Sequence, residues 1–383
     1  MTPQTRGLVL GLAAMLIGFP LMGWAFFLTH MVPDGHTDFR ANYTAGYMLR
    51  TSKPQYDYAA ELEAQNQVVS HEAIALPFIH PAYEALIYAP LSFLPYLRAF
   101  CLWFAVNLLV LASIYYLLRP ELEALSAVVF WLPIATLAAY LPFGAALVQG
   151  QDSLLLVLLL AMAFDRMRSG DHLWLAGMCL GLAVFRFHIV LPVIMCFLLW
   201  RRWNLVAGFL ATALPVAVVS VVLAGFWPYV QTLRALSVQP AWALHQNISR
   251  MPNLRGLIQS AGGGDWLVVL VSLLVLAGVV LAGRERNLQQ QLALGITAAT
   301  LVSYHALVHD LSVLFIPCAL LFARKTESAL LVAGVVFFAP VLLIFAPNHF
   351  YLAVFGVLAL FVYMAVPSFG SLNLPVVRAV VEE

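Results

Sequence analysis

Seven stretches of this sequence run without a single Asp, Glu, Lys or Arg: Gly7–Pro33, Ala99–Leu118, Ala124–Gln151, Trp203–Leu233, Trp266–Gly283, Asn287–His309 and Ser328–Val377. About 20 mostly apolar residues in helical form cross the hydrocarbon core of a bilayer. The backbone must satisfy its own hydrogen bonds there, so such runs fold as helices. The last stretch is long enough for two passes, with Pro347-Asn348-His349 as a polar break. Four shorter apolar runs, Ser153–Phe164, Leu173–Phe185, Ile189–Trp200 and Leu311–Phe322, fill the gaps and draw polar flanks into the membrane edge. The expectation is an all-α polytopic membrane protein, one domain over residues 1–383, with about twelve spanning helices. Composition decides against the alternatives. Only 10% of residues are charged and 63% are hydrophobic, whereas roughly a quarter are charged in a soluble domain. A net charge of +1 leaves no basic field for nucleic acid. Cys101, Cys179, Cys196 and Cys318 lie in apolar stretches with no CxxC spacing, so they read as packing residues. The apolar core of the first run is too long for a cleaved signal.

Lys and Arg in short loops set orientation. Arg6, Arg119, Arg166, Arg168, Arg201, Arg202, Arg284, Arg286, Arg324, Lys325 and Arg378 fall at alternate ends of successive spans. With those ends cytoplasmic, both termini face the cytoplasm. Segment His80–Pro95 is apolar but carries Glu84 and three prolines. Counting it as a span would reverse every later loop, so it reads as an interfacial or re-entrant helix, with a thirteenth span as the alternative. Two large loops then lie outside, 31–97 and 225–265. The first holds amphipathic pieces around Phe39–Tyr47 and Tyr58–Val69, expected to lie along the headgroups.

The same outer face collects Asp34, Asp38 and Glu84, then Gln149, Gln151 and Asp152, Arg186 and His188, Arg250 and Arg255, and His305, His309 and Asp310. Ionisable groups at a membrane edge are costly, and by default they mark function. Their clustering on one side suits a site that handles a polar group carried on a lipid. By residue type alone Asp38 is either a helix N-cap or a base, and Asp34 sits in a Pro-Asp-Gly turn. Arg186 is either a snorkelling span end or an anion ligand. Gln151 and Asp152 are equally helix caps or hydroxyl ligands. Tyr43, Tyr47, Tyr56 and Tyr83 would stack on sugar rings or belong to the interfacial aromatic belt. Arg250 and Arg255 are solvated surface or holders of acceptor phosphate and lipid headgroups. His305 and His309 would share a face on a continuing helix, but Ala306 stands where a zinc-protease Glu would be. Neither that pair nor the His30, Asp34, His36, Asp38 group is taken as a metal site.

Asp38-Phe39-x-x-Asn42-Tyr43-x-Ala45-Gly46 followed by Tyr56-Asp57 resembles the first-loop motif of bacterial glycosyltransferase family 87, in the GT-C superfamily. His80-Pro81-Ala82-Tyr83, Ala89-Pro90-Leu91 and Leu94-Pro95-Tyr96 are similar to its proline segment. Gly150-Gln151, the Ala176-Gly177 to Ala183 stretch with Arg186, and His309-Asp310-Leu311 resemble later motifs in the same order. Two departures stand out: His80 replaces a proline, and Arg186-Phe187-His188 replaces lysine-proline, keeping the charge.

The resemblance implies a GT-C-like bundle in a bacterial cytoplasmic membrane, with an extracytoplasmic active site. It implies inverting transfer of a sugar, mannose by family analogy, from a polyprenyl-phosphate donor to a lipid or glycan acceptor. Asp38 would be the base, and Arg186, His188 and His309 would hold donor phosphate. Asp34, Tyr43, Tyr83, Gln151, Asp152, Asp310, Arg250 and Arg255 would contact substrate. Neither metal nor cofactor is expected. The rival readings are a transporter or lipid flippase, and a non-catalytic envelope assembly protein with the same fold.

Overall fold

The computed structural model describes residues 25, 27–70, 74–170, 172–227 and 248–366. All regular structure among them is helical, without strands. The first loop carries α1 (Phe39–Arg50), α2 (Tyr58–Val68) and α3 (Ala85–Tyr88). The bundle follows with α4 (Tyr96–Ser126), α5 (Leu132–Ala139), α6 (Leu141–Gln149), α7 (Ser153–Ser169), α8 (Leu173–Leu182), α9 (Phe187–Leu199) and α10 (Trp203–Ala224). The remainder comprises α11 (Leu254–Ser260), α12 (Asp265–Gly283), α13 (Leu288–Val302), α14 (Phe315–Arg324), α15 (Glu327–Phe338), α16 (Leu342–Phe345) and α17 (Val354–Ala365).

This is a polytopic helical membrane protein. By length and composition alone, six described helical runs, with Leu173–Leu199 counted as one, suffice to cross a bilayer, or seven if the α5–α6 pair, bent by 56°, is one broken span. Their outward faces are apolar: Leu109, Val222 and Leu331 are 70%, 77% and 70% exposed, as lipid permits and water would not. Most of the run Gly7–Pro33, and residues 228–247 of the loop 225–265, fall outside the described residues. The long apolar stretch from Ser328 does divide into two 19-residue runs, Glu327–Phe345 and Pro347–Ala365.

Helical backbone continues through Leu173–Leu199, 27 residues, yet this run cannot be straight. A Cβ on Gly177 would meet the carbonyl oxygen of Leu205 at 2.0 Å, and one on Gly181 the carbonyl of Phe209 at 2.4 Å. Leu205 begins α10, just after α9 ends, whereas a straight helix would carry Gly177 roughly 30 Å from Leu199. The chain therefore folds back at the 3-10 turn 183–186, and α8 and α9 form a hairpin with Arg186 at its tip. Small residues allow α8 and α10 to pack backbone against backbone, as membrane helices do.

One end of the bundle gathers the α6–α7 junction, the α8–α9 tip, the far end of α10, α11 and the segment after α13. Tyr83 N donates to Ser220 Oγ at 3.2 Å, Arg255 Nη1 to Tyr304 O at 3.1 Å and Tyr351 N to Ser249 O at 3.0 Å. The opposite end carries Arg119, Arg168, Arg202, Arg286 and Arg324.

Segment 80–95 does not form one helix. It breaks into 3-10 turn 82–84, α3 and 3-10 turn 91–93. Pro81, Pro90 and Pro95 stand immediately before the 82–84 turn, the 91–93 turn and α4. A proline there lacks only an N–H that has no helical partner, and it stops the preceding piece from continuing. Helix α1 is covered by its neighbours: Phe39, Arg40, Ala41, Asn42, Tyr43, Thr44, Ala45, Gly46 and Met48 are all buried. A Cβ on Gly46 would lie 2.4 Å from the Tyr88 backbone, so α3 roofs α1 closely. The helix toward His309 ends at Val302, so His305 and His309 do not share a helical face.

Candidate functional site

Gly150 is where the site is assembled. It ends α6 at φ +63°, and a Cβ there would meet Phe39 Cβ at 2.7 Å, so only glycine suits both the turn and the contact. Trp103 Nε1 donates to Gly150 O at 2.9 Å, fixing the junction to α4. The flanking glutamines then reach the start of α1. Asp38 N donates to Gln149 Oε1 at 3.1 Å, and Gln151 Nε2 donates to the Asp38 carboxylate. Asp38 does not cap α1 with its side chain, so the capping reading fails and its carboxylate turns toward Gln151.

From Gln151 a polar network continues inward. Arg186 Nη2 donates to Gln151 Oε1 and to Asp152 Oδ1, and Arg186 Nε donates to Asp152 Oδ1 at 3.0 Å. Arg186 Nη1 faces Asp310 Oδ1 at 3.5 Å. Asp310 accepts from Leu307 N at 2.8 Å, and it lies 3.6 Å from His309 Nε2 and 4.0 Å from His188 Nε2. On the other side His80 Nδ1 is 3.6 Å from Asp152 Oδ2 and 2.7 Å from Glu84 Oε2. Arg186, Asp152, Asp310, Glu84 and His309 are all buried.

Burial pushes the Glu84 carboxyl up to about 8, and the negative charge of Asp152 adds to the rise against the opposing effect of His80. Burial alone would lower the His80 imidazole, but Glu84 and Asp152 outweigh it and raise the ring to about 9.

Of the residues singled out in the sequence, Asp38, Gln151, Asp152, Arg186, His188, His309 and Asp310 come together. Others do not join them. Asp34 is exposed in the turn 32–35. Tyr43 is buried against Phe39 and Tyr96, and its hydroxyl donates to Leu94 O at 2.8 Å. Tyr83 donates to Leu182 O at 3.1 Å, tying the first loop to the hairpin tip. Arg250 is exposed. Arg255 is not surface: it is buried, with its guanidinium 3.9 Å from the Tyr304 ring centroid. His80 and Glu84 belong to the network as well, although the sequence pointed to no role for either: Glu84 was one of the polar groups on the outer face and His80 a departure from the family motif. Their one signal was a lone carboxylate in an apolar, proline-broken segment, four residues after a histidine.

The model of glycosyltransferase family 87 matches residues 78–317, a stretch that includes Glu84, Asp152, Arg186, His309 and Asp310 and begins after Asp38. No curated protein and no solved structure matches the chain.

Proposed function

The chain belongs to glycosyltransferase family 87 and is a membrane glycosyltransferase; from this we propose that it transfers a sugar from a polyprenyl-phosphate donor to a lipid or glycan acceptor, inverting the anomeric carbon. Asp38 takes the acceptor proton as the hydroxyl oxygen bonds to the anomeric carbon. The bond from that carbon to the phosphate oxygen breaks, and polyprenyl phosphate leaves with the electron pair. Arg186, His188 and His309 answer the charge on the departing phosphate. Gln151, Asp152 and Asp310 line the space for the sugar, with Tyr83 at its edge. Tyr43 and Arg255 have hydrogen bonds of their own, which favour a supporting role for them. Arg250 and Asp34 remain as contacts for the acceptor.

One observation carries this reading: the chain of contacts from the Asp38 carboxylate through Gln151 to Arg186 joins a proton acceptor and a cation that are far apart in sequence. An apolar groove supports the donor class. It starts at Leu191, one helical turn past His188, and runs between α9 and α12 along Met195, Leu199, Leu273 and Leu281. Those side chains are exposed, as a seat for an isoprenoid tail requires. The proposed topology has about twelve passes, both termini cytoplasmic with the arginine-rich end, and the network outside the cytoplasmic membrane.

Purified protein supplied with polyprenyl-phosphate mannose is expected to yield the glycosylated acceptor. Asp38→Asn should lower turnover by a factor of roughly 10² to 10⁴ while leaving folded yield unchanged. Full activity in that variant would remove Asp38 as the base.

A further inference from the structure

We propose that His80, Glu84 and Asp152 form a divalent-cation site, suited to Mn²⁺ or Zn²⁺, beside the Gln151–Arg186 contact. One ligand atom from each residue lies within 4.8 Å of the others. His80 Nδ1 stands 2.7 Å from Glu84 Oε2 and 3.6 Å from Asp152 Oδ2. Metal bonds to nitrogen and oxygen of about 2.0–2.2 Å put neighbouring ligand atoms about 3 Å apart, so the three already have the spacing of one coordination sphere. One imidazole and two carboxylates are a donor set for these ions.

The second observation is what the protein leaves unpaired. Glu84 and Asp152 are fully buried, yet Glu84 Oε1 and Asp152 Oδ2 have no hydrogen-bond partner among the described residues. Orphaned oxygens on buried carboxylates are costly. Arg186 faces Asp152 and Asp310, and His80 reaches Glu84 through Oε2, so Glu84 Oε1 and Asp152 Oδ2 stay open to a ligand. A substrate hydroxyl would donate one proton to one oxygen and bring no charge. A divalent cation would engage both carboxylates and neutralise them, which is why the geometry favours it. The His80 side chain keeps 15% of its surface open, leaving a way in.

The backbone explains why the three meet. Glu84 and His80 are four apart across the Pro81 break, and the 82–84 turn rests on Ser220 at the end of α10. Asp152 enters from the α6–α7 junction. If the donor is a phosphate, as proposed above, the cation would offset the carboxylates that otherwise dominate its surroundings. The cation site does not depend on that reading.

The test uses full-length protein in nanodiscs, stripped with EDTA and titrated with Mn²⁺ under electron paramagnetic resonance, with Zn²⁺ in parallel by elemental analysis. About one ion per chain is expected to be retained, and bound Mn²⁺ should show coupling to the directly bonded nitrogen of His80. Glu84→Gln keeps the shape and a hydrogen bond to His80, and it should weaken binding more than about tenfold. Retention of neither ion, bound Mn²⁺ without nitrogen coupling, or equal affinity in folded Glu84→Gln would each overturn the site. The nitrogen coupling is read on unaltered protein, so it decides even where the variant misfolds. No glycosyl transfer is measured, so failure here is separate from failure of the donor assignment.

Discussion

Two arginines at opposite ends of the bundle each hold two carboxylates, and they differ in almost everything else. At the arginine-rich end Arg168 donates to Glu121 and Asp165, with pairs at 2.8 and 2.6 Å. Its side chain is 31% exposed and that of Asp165 35%, while Glu121 is the one buried member of the group. At the other end Arg186 and its partners Asp152 and Asp310 are buried, and Asp152 and Asp310 each retain a carboxylate oxygen with no hydrogen bond. An exposed pair is screened and replaceable by water. A buried one is coupled to everything around it, because removing either partner strands a charge in low dielectric. Solvation, and not pair geometry, separates structural charge from chemical potential in this molecule.

The largest expected effect comes from breaking the buried pair. Arg186→Met strands Asp152 and Asp310 and should cost about 3–5 kcal/mol of stability, together with transferase activity. Thermal unfolding in detergent and a transfer assay measure both. A loss under about 1 kcal/mol would mean that the network is solvated like the Arg168 group.

Next comes the turn that aligns the site end. Gly150→Ala introduces a Cβ at positive φ against Phe39 and should cost about 1–3 kcal/mol. It should also reduce turnover by moving Gln149 and Gln151 off Asp38. Unchanged turnover at equal folded yield would separate the glutamine contacts from catalysis.

Glu61 tests burial without a guanidinium. It is buried in α2 and accepts from the backbone N–H of Phe78 at 3.4 Å. Burial pushes its carboxyl up to about 7, against the pull of backbone N–H groups of Phe78 and Tyr56. The raised value fixes the sign. The folded form holds the proton more tightly than the unfolded one, so this contribution is complete below the ordinary carboxyl range and is lost as pH rises toward 7. Hydrogen exchange over residues 58–78 should therefore quicken between about pH 4.5 and 7 beyond its intrinsic pH dependence. Glu61→Gln should flatten that excess and stabilise the loop at pH 8 by on the order of 1–2 kcal/mol. An unaltered slope in the variant would assign the effect elsewhere.

The smallest effect belongs to Asp165→Asn, which removes the exposed partner of Arg168 and leaves Glu121 paired; it is expected within about 1 kcal/mol and without consequence for transfer. A loss as large as that of Arg186→Met would erase the contrast between the two ends.

Much of the site was legible in the sequence because its parts carry signals of their own. A Gln-Asp pair at a helix junction, an arginine between apolar runs and a His-Asp pair after a span are each too polar for their surroundings. Glu84 and His80 were harder to recognise. They sit in a segment whose prolines and apolar residues described a broken, surface-lying piece, and nothing local tells which side chains such a piece turns inward. Arg255 was misjudged for a related reason: a basic residue in a polar loop looks solvated until a ring such as Tyr304 is placed beneath it. The broken run at 183–186 was readable because two apolar stretches on either side of Arg186 were each too short to span.

The sequence by itself determined a helical membrane protein, since long charge-free runs leave the backbone no other way to satisfy its hydrogen bonds in lipid. It also determined that polar groups crowd toward one end of the bundle, because spacing along the chain fixes where each apolar run stops. Only the tertiary structure decided which of those groups touch. Whether Asp38 caps its own helix or turns to Gln151, and whether Glu84 meets Asp152, depends on contacts between residues scores of positions apart. No periodicity records such contacts; they exist only once Gly46, Gly150 and Gly177 let the elements approach closely enough to make them.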